Sequence, residues 1–275
     1  MNLTSLSTIK HIFQKHHIKP KKGLGQNFLI DKHVIKKLVA AAQLTSDDSV
    51  LEVGPGIGTL TRELALSCKK VTAVEKDRTM IEILKDTLAD LKNVDLIRGD
   101  ILDLPVQMLS PYKVVANLPY YITAPAIRKF LESQSQPETM TLLVQKEVAQ
   151  RICAKPPRMN ILAVSVQFYA RPKVISYIKR TSFWPKPRVD SALLHIVPTG
   201  NIPANPTTFF SIVKAGFRQP RKYLLNNLSN GLKTDKTEIE KWLSKNSIKP
   251  TQRAETLSLQ DWINLANTFS LLSSV

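Results

Sequence analysis

From Ser49 to Gln145, short apolar runs alternate with stretches of helical spacing, and the runs stop at a glycine, an acid or an asparagine. This rhythm restricts the fold more than any other feature. Ser49 to Val53 predicts a strand that breaks at Gly54-Pro55-Gly56, with a helix from about Thr59 to Leu66. Lys70 to Glu75 is a second strand, followed by a helix over 78–91. Val94 to Ile97 is a third and ends at Gly99-Asp100; Tyr112 to Ala116 is a fourth and ends at Asn117. Thr139 to Gln145 is a fifth, with a helix running on to about Cys153. Leu162 to Tyr169 and Ala192 to Val197 read as the sixth and seventh. Strands separated by helices require crossovers, so the sheet is mostly parallel and covered on both faces. The stretch before the last strand carries Pro172, Pro185 and Pro187, too broken for a crossover helix, which predicts an antiparallel final pair.

Ahead of this alternation lies a basic arm over 1–22, then the turn GLGQNFLI at 23–30. Asp31 is placed to cap a helix over about 32–42. Residues 198–207, PTGNIPANPT, read as a linker. Beyond it the spacing is helical over 208–219, 221–230, 237–245 and 259–273. The expected organisation is an N-terminal arm and turn over 1–30, an α/β domain over 31–198, and a small helical domain over 207–275. A chain of 275 residues is long enough for both domains.

Charge constrains the partner. The net charge is +17, and it is unevenly spread. Residues 1–22 hold Lys10, Lys15, Lys19, Lys21 and Lys22 with no acid, and residues 145–188 hold ten lysines and arginines against Glu147 alone. Two such sources of positive field attract a polyanion such as nucleic acid, with strong salt dependence. No apolar run is long enough to cross a bilayer. Lys10 and His11 interrupt any signal-peptide core. Cys68 and Cys153 form no metal-ligand spacing, and the five histidines make no cluster. No metal and no membrane are therefore expected, and a cytoplasmic location fits.

The strand ends carry the chemistry. Glu52-Val53-Gly54-Pro55-Gly56-Ile57-Gly58 leaves a strand and enters a helix, where glycines let the backbone approach a ligand closely. The spacing is GxGxG. The last glycine of a dinucleotide fingerprint is replaced by Thr59, which favours an amino-acid-bearing nucleoside over a pyrophosphate. Glu75, ending the second strand, can accept from both ribose hydroxyls. Asp100, ending the third, can accept from an adenine amine, with Ile101 against the ring.

The fourth strand ends in Asn117-Leu118-Pro119-Tyr120. An adenine amine is a poor nucleophile because its lone pair is delocalised into the ring. Two acceptors, the Asn117 side-chain oxygen and the Leu118 carbonyl, can hold its hydrogens and favour a pyramidal nitrogen. Pro119 stiffens the turn, and Tyr120 can stack on the base. With a sulfonium methyl donor, positioning and preorganised dipoles supply most of the catalysis without a strong base. A base must leave its stack to enter such a pocket. Phe183 or Trp184, in the loop FWPKPR, can form an opposite wall, with Lys186 and Arg188 on phosphates.

These pieces, with others, resemble a known family, the small-subunit ribosomal RNA adenine N6-dimethyltransferases (16S rRNA dimethyladenosine transferases). The resemblance runs over almost the whole chain. It includes KKGLGQNFL at 21–29, LEVGPGIGTLT at 51–61, VEKD at 74–77, GDIL at 99–102 and NLPYYIT at 117–123. It continues through VQKEVAQR at 144–151, FWPKPRVDSALL at 183–194, FRQPRKYLLNNL at 217–228 and QRAETLS at 252–258. The segment PRMNILAVSVQ at 157–167 departs from the pattern.

The resemblance implies a Rossmann-like class I methyltransferase fold, with a seven-stranded mostly parallel sheet, an antiparallel last strand and a small C-terminal helical domain. It implies S-adenosyl-L-methionine as cofactor. The implied reaction is methylation at N6 of two adjacent adenines in the 3′-terminal hairpin of 16S rRNA, within an assembling 30S subunit, by a monomer. Asn27 and Leu29 would touch the cofactor, Gly54 and Gly56 would lie along it, and Asn117 would sit where methyl and amine meet. Phe183 matches the aromatic position facing the target base. Lys21, Lys22, Arg221 and Lys222 would join Lys186 and Arg188 in binding RNA. Three other readings stand beside this one: a large-subunit rRNA adenine methyltransferase, a non-catalytic RNA-binding factor on the same fold, and an NAD oxidoreductase.

Overall fold

A computed structural model describes residues 1–105 and 111–269. Contacts divide the chain into two compact units, one of residues 1–149 with 172–198, the other of 150–171 with the chain from 199 onward. The sequence suggests a division at the linker alone; residues 150–171 instead group with the C-terminal helices.

The first unit holds a seven-stranded sheet. Its parallel strands are β2 (Ser49–Val53), β3 (Lys70–Glu75), β4 (Val94–Arg98), β5 (Lys113–Asn117) and β6 (Met140–Gln145). β7 (Ala170–Ile178) and β9 (Ser191–Pro198) complete it in the order β4-β3-β2-β5-β6-β9-β7. β9 runs antiparallel to β6, from Met140↔Ile196 to Gln145↔Ser191, so the last strand is antiparallel as expected. A two-stranded ribbon, β1 (Phe28–Leu29) with β8 (Phe183–Trp184), stands apart from the sheet. Apolar residues fill β2, β3, β5 and β6 because helices cover both faces. The crossovers are α3 (Thr59–Ala65), α4 (Arg78–Thr87) and α5 (Thr123–Leu131). α2 (Lys32–Ala42) starts as Asp31 predicts, its carboxylate accepting from the His33 and Val34 N–H groups at 3.0 and 3.3 Å. The strand order reverses between β2 and β5. That is the switch point at which open α/β sheets leave a crevice beyond their carboxyl ends.

One predicted strand is corrected. Residues 161–169 form a helix, α7 (Ile161–Tyr169), and the sixth strand of the rhythm is the next segment, β7. Asn160 starts α7 by accepting from the Leu162 and Ala163 N–H groups, both at 3.1 Å. A short apolar run without polar alternation fits a buried helix as well as a strand, and the cap decides. Pro172, expected in a loop, lies in β7. That strand is last in the sheet order, where a missing N–H is tolerated.

α6 (Lys146–Ile152) follows β6 directly and carries the chain into the second unit. That unit packs α7 with α8 (Pro206–Gly216), α9 (Leu224–Leu232), α10 (Lys236–Lys245) and α11 (Leu259–Asn267). The predicted last helix runs on over 270–273, which lie outside the described residues. Phe168 stacks on Phe209 with ring centroids 4.0 Å apart. Within NNL, Asn227 is buried and donates to the Gly216 and Gln219 carbonyls at 2.8 and 2.9 Å, closing the turn between α8 and α9.

Candidate active site

Beyond the carboxyl ends of β2 to β5 lies a cleft of about 950 Å³, its open mouth included. Asn27, Leu29, Gly54, Gly56, Glu75, Asp100, Ile101, Asn117, Leu118, Pro119 and Tyr120 all line it. Eleven of the residues expected at the site, from four strand ends and the N-terminal turn, thus line one cavity.

Gly54 and Gly56 hold the loop after β2 in left-handed backbone, φ 68° and 61°, where an L side chain is strained. A Cβ on Gly54 would lie 3.4 Å from Pro119 Cδ, and one on Gly56 would lie 3.0 Å from the Phe28 ring. The loop is therefore pressed between the β5 turn and the N-terminal arm. Glu75, 8 % exposed, accepts from the Asp77 N–H at 2.8 Å and from the Gly56 N–H at 3.4 Å. Burial raises its pKa despite those donors. Asp100 accepts from Leu102 N–H at 3.0 Å and from the Lys76 ammonium at 2.7 Å, and both lower its pKa.

The N-terminal turn is strapped across this cleft. Asp77 accepts from the Lys21 ammonium at 2.9 Å and from Gln26 Nε2 at 3.0 Å. Burial pulls the Asp77 pKa up, but Lys21 and the Thr79 N–H outweigh it, and the group stays below the ordinary carboxylate value. Asn27 is thereby set beside β5: the Asn117 side-chain Nδ2 donates to the Asn27 carbonyl at 3.0 Å. That bond fixes which way the Asn117 amide points. Among the described residues nothing donates to its Oδ1, which is left as an acceptor in the cleft wall. Leu118 is 1 % exposed, and its N–H donates to the Leu143 carbonyl at 3.1 Å, pinning the turn to β6. The Tyr120 hydroxyl bonds Ser191 Oγ at 2.9 Å, and burial raises its pKa.

Phe183 is corrected. Its ring is 3 % exposed, packs in a core with Leu29, Ile35 and Leu38, and does not line the cleft. Alternation along the two-residue strand sends Phe183 into that core and leaves Trp184 on the other side of the ribbon. Lys186 and Arg188 are exposed, as are Arg221 and Lys222 in the second unit. Lys21 is exposed but committed to Asp77, and the Lys22 side chain lies outside what is described.

Four cleft features escaped the sequence reading. Glu52 is 1 % exposed, lines the cleft and has an unpartnered Oε2. Burial raises its pKa to about 8, with the Thr61 hydroxyl opposing and Glu75 adding to the rise. A charged residue inside an otherwise apolar parallel strand was the available signal. Lys76, the Lys21–Asp77–Gln26 clamp and Tyr121, 52 % exposed at the mouth, are the others. The cavity fits a nucleoside bearing an amino acid. The glycine loop gives backbone access, Glu75 and Asp100 supply acceptors, and the orphaned Glu52 oxygen fits a ligand that brings a donor.

A family model described as ribosomal RNA adenine dimethylase matches residues 17–270. A "Ribosomal RNA small subunit methyltransferase A" of Dehalococcoides mccartyi (strain CBDB1) is 43 % identical, covering 94 % of this chain and 92 % of its own length. The protein of that name from Clostridioides difficile (strain 630) is 42 % identical, covering 96 % of both. Among solved structures, the 23S rRNA methyltransferase ErmE is 26 % identical with a TM-score of 0.73, covering 90 % of this chain and 100 % of its own. A dimethyladenosine transferase from Plasmodium falciparum shares the fold, with a TM-score of 0.73 at 23 % identity, covering 88 % and 97 %.

Proposed function

This chain belongs to the ribosomal RNA adenine dimethylase family, and on that premise we propose that it methylates N6 of two adjacent adenines in the 3′-terminal hairpin of 16S rRNA, giving N6,N6-dimethyladenines during 30S subunit biogenesis. S-adenosyl-L-methionine is the methyl donor, and the enzyme works as a cytoplasmic monomer. The observation that carries the reading is the Asn117 amide. Its nitrogen is given to the Asn27 carbonyl, which leaves its oxygen without a donor among the described residues, and the residue lines the same cleft as the glycine loop.

When bound, the cofactor supplies an electrophilic methyl group on sulfur. Gly54 and Gly56 give its amino-acid part close backbone access, Glu75 takes the ribose hydroxyls, and Asp100 with Ile101 takes the adenine. Asn27 and Leu29 close the cleft from the N-terminal side. Asn117 Oδ1 and the Leu118 carbonyl hold the two hydrogens of the target amine, so its lone pair turns away from the ring. Pro119 keeps that carbonyl in place, and Tyr120 presents a face to the base. Lys186, Arg188, Arg221 and Lys222, all exposed, are the proposed phosphate contacts. As proposed domains, residues 1–30 form the arm and cofactor-contacting turn, 31–198 the methyltransferase domain apart from 150–171, which group with the helices, and 207–275 the rRNA-recognition domain.

The small subunit is favoured over the large because the relatives at 42–43 % identity carry the small-subunit name, whereas the large-subunit enzyme is 26 % identical. Transfer of labelled methyl groups to unmodified small and large subunits, assayed together and followed by position mapping, tests the assignment. Dimethyladenine at two adjacent positions near the 3′ end is expected. Label confined to large-subunit RNA would overturn it.

A further inference from the structure

Trp184 does not line the methyl-transfer cleft; it lines a second groove, formed with the N-terminal arm. α1 (Leu6–Lys15) builds one wall. Its exposed Lys10 and Gln14 lie four residues apart and share a face, and His17, exposed just beyond the helix, lines the same groove. At the end of the helix His17 takes the left-handed conformation, φ 51°, and Ile18 N–H donates back to the Phe13 carbonyl at 3.0 Å. The chain doubles back there and brings Lys19 to the groove. Phe13, itself buried, holds the Trp184 ring edge-on with centroids 5.5 Å apart, and Phe28 stacks on it at 6.4 Å. Phe28 is also the ring that covers Gly56, so the floor of this groove and the cofactor loop share one aromatic layer.

The chemistry of the lining is specific. Among the described residues no acid lines the groove, and residues 1–22 contain none. The other basic residues at the end of α1, Lys15 and His16, face Asp86 instead. Lys10 and Lys19 stand exposed beside a half-buried indole, and exposed Lys186 follows two residues after it. An aromatic floor between ammonium groups takes one ligand class well: a single-stranded nucleotide, with the base on the ring and phosphates on the lysines.

We infer that this groove is a second RNA subsite, which holds an unstacked nucleotide flanking the target adenine while the target itself occupies the cleft. The inference rests on the rRNA-methylating reading above. It adds a role for the N-terminal arm distinct from closing over the cofactor.

The test uses the full chain. Trp242 and Trp262 are 3 % and 0 % exposed, so Trp184 is the tryptophan open to a ligand. Titration with a single-stranded hexa-adenylate RNA is expected to quench tryptophan fluorescence saturably, with affinity falling steeply as salt rises. Trp184→Leu should abolish the quench. Because that ring also packs on Phe13 and Phe28, the decisive variant is the surface pair Lys10→Ala with Lys19→Ala. It should raise KM for small-subunit RNA about tenfold and leave kcat and the cofactor Kd unchanged. A KM within about twofold of wild type on naked RNA overturns the subsite. If KM then rises only on assembled particles, the groove takes a protein. If the wild-type chain transfers no methyl to adenine, it is the functional reading that falls, whether or not the oligonucleotide quenches Trp184.

Discussion

The ends of β2, β3 and β4 and the end of β5 meet in one cleft but are built on opposite principles. The first three bring acids: Glu52 and Glu75 buried, Asp100 paired with Lys76. The last brings a neutral amide, a proline and a tyrosine, held by Asn27, Leu143 and Ser191. Acids suit the half that must hold a ligand rich in donors. Neutral dipoles suit the half where, on the proposed function, an uncharged amine reacts, because a carboxylate there would carry a desolvation cost and gain no full charge to pair with. The two halves should therefore fail differently when cut.

Asn117→Ala tests the reaction half and should have the largest effect. Losing one preorganised contact at the reacting centre lowers the single-turnover rate by a factor of about 10² or more. The cofactor Kd, measured by calorimetry, should change by less than about threefold, since the acids are intact. A rate unchanged from wild type would remove Asn117 from the chemistry. A collapse of cofactor affinity would instead make it a binding residue and erase the contrast.

Glu75→Ala tests the binding half. Hydrogen bonds to a charged acceptor are worth about 1.5–3 kcal/mol, so cofactor affinity should weaken by roughly 10- to 100-fold. Part of that loss comes from the Gly56 and Asp77 N–H groups, which lose their acceptor. The transfer rate at saturating cofactor should stay within a few-fold. A larger fall in rate than in affinity would place Glu75 in the reaction half.

How much of this contrast was legible depends on what each residue's neighbours in sequence reveal. Glu75, Asp100 and Asn117 end strands whose spacing marks them, so their convergence followed from topology alone. Leu29 and Asn27 were reached through family resemblance, because a two-residue strand such as β1 has no periodicity to read. Phe183 was misplaced for the same reason. A two-residue strand points its side chains to opposite sides, and only tertiary packing decides which one is inward. The Asn27–Asn117 bond spans 90 residues of sequence and leaves no local trace. α7 was missed because an apolar run reads equally as helix or strand until Asn160 is seen to cap it.

Glu52 sharpens the comparison through pH. Its folded pKa, about 8, lies above the ordinary 4.5, so the folded state holds the proton more tightly than the unfolded chain. Stability of the ligand-free enzyme therefore falls as pH rises from the lower value through the upper, and levels off beyond it. Glu52→Gln removes that linkage. Its advantage in Tm should be small at pH 5 and grow toward pH 8, on the order of 1–3 kcal/mol at the top, or several degrees. A constant offset across that range would mean Glu52 is ionised and paired in the folded protein.

Lys76→Ala is expected to do least, and its value lies in what it separates. The Lys76 side chain is 56 % exposed, and pairs of that kind contribute little at neutral pH. The cofactor Kd at pH 7 should stay within about threefold of wild type. The pair does hold the Asp100 pKa below its ordinary value, so Asp100 stays ionised to lower pH than it would alone. Without Lys76 that pKa moves back toward its ordinary 3.8, and the acid-side loss of cofactor affinity should begin at higher pH, readable by calorimetry around and below pH 4. A tenfold loss already at pH 7, with no displacement of the acid limb, would mean that Lys76 touches the cofactor directly. The binding half would then rest on a cation as well as on acids, and the division between a charged half and a neutral half would need to be drawn by the sign of the charge at each strand end.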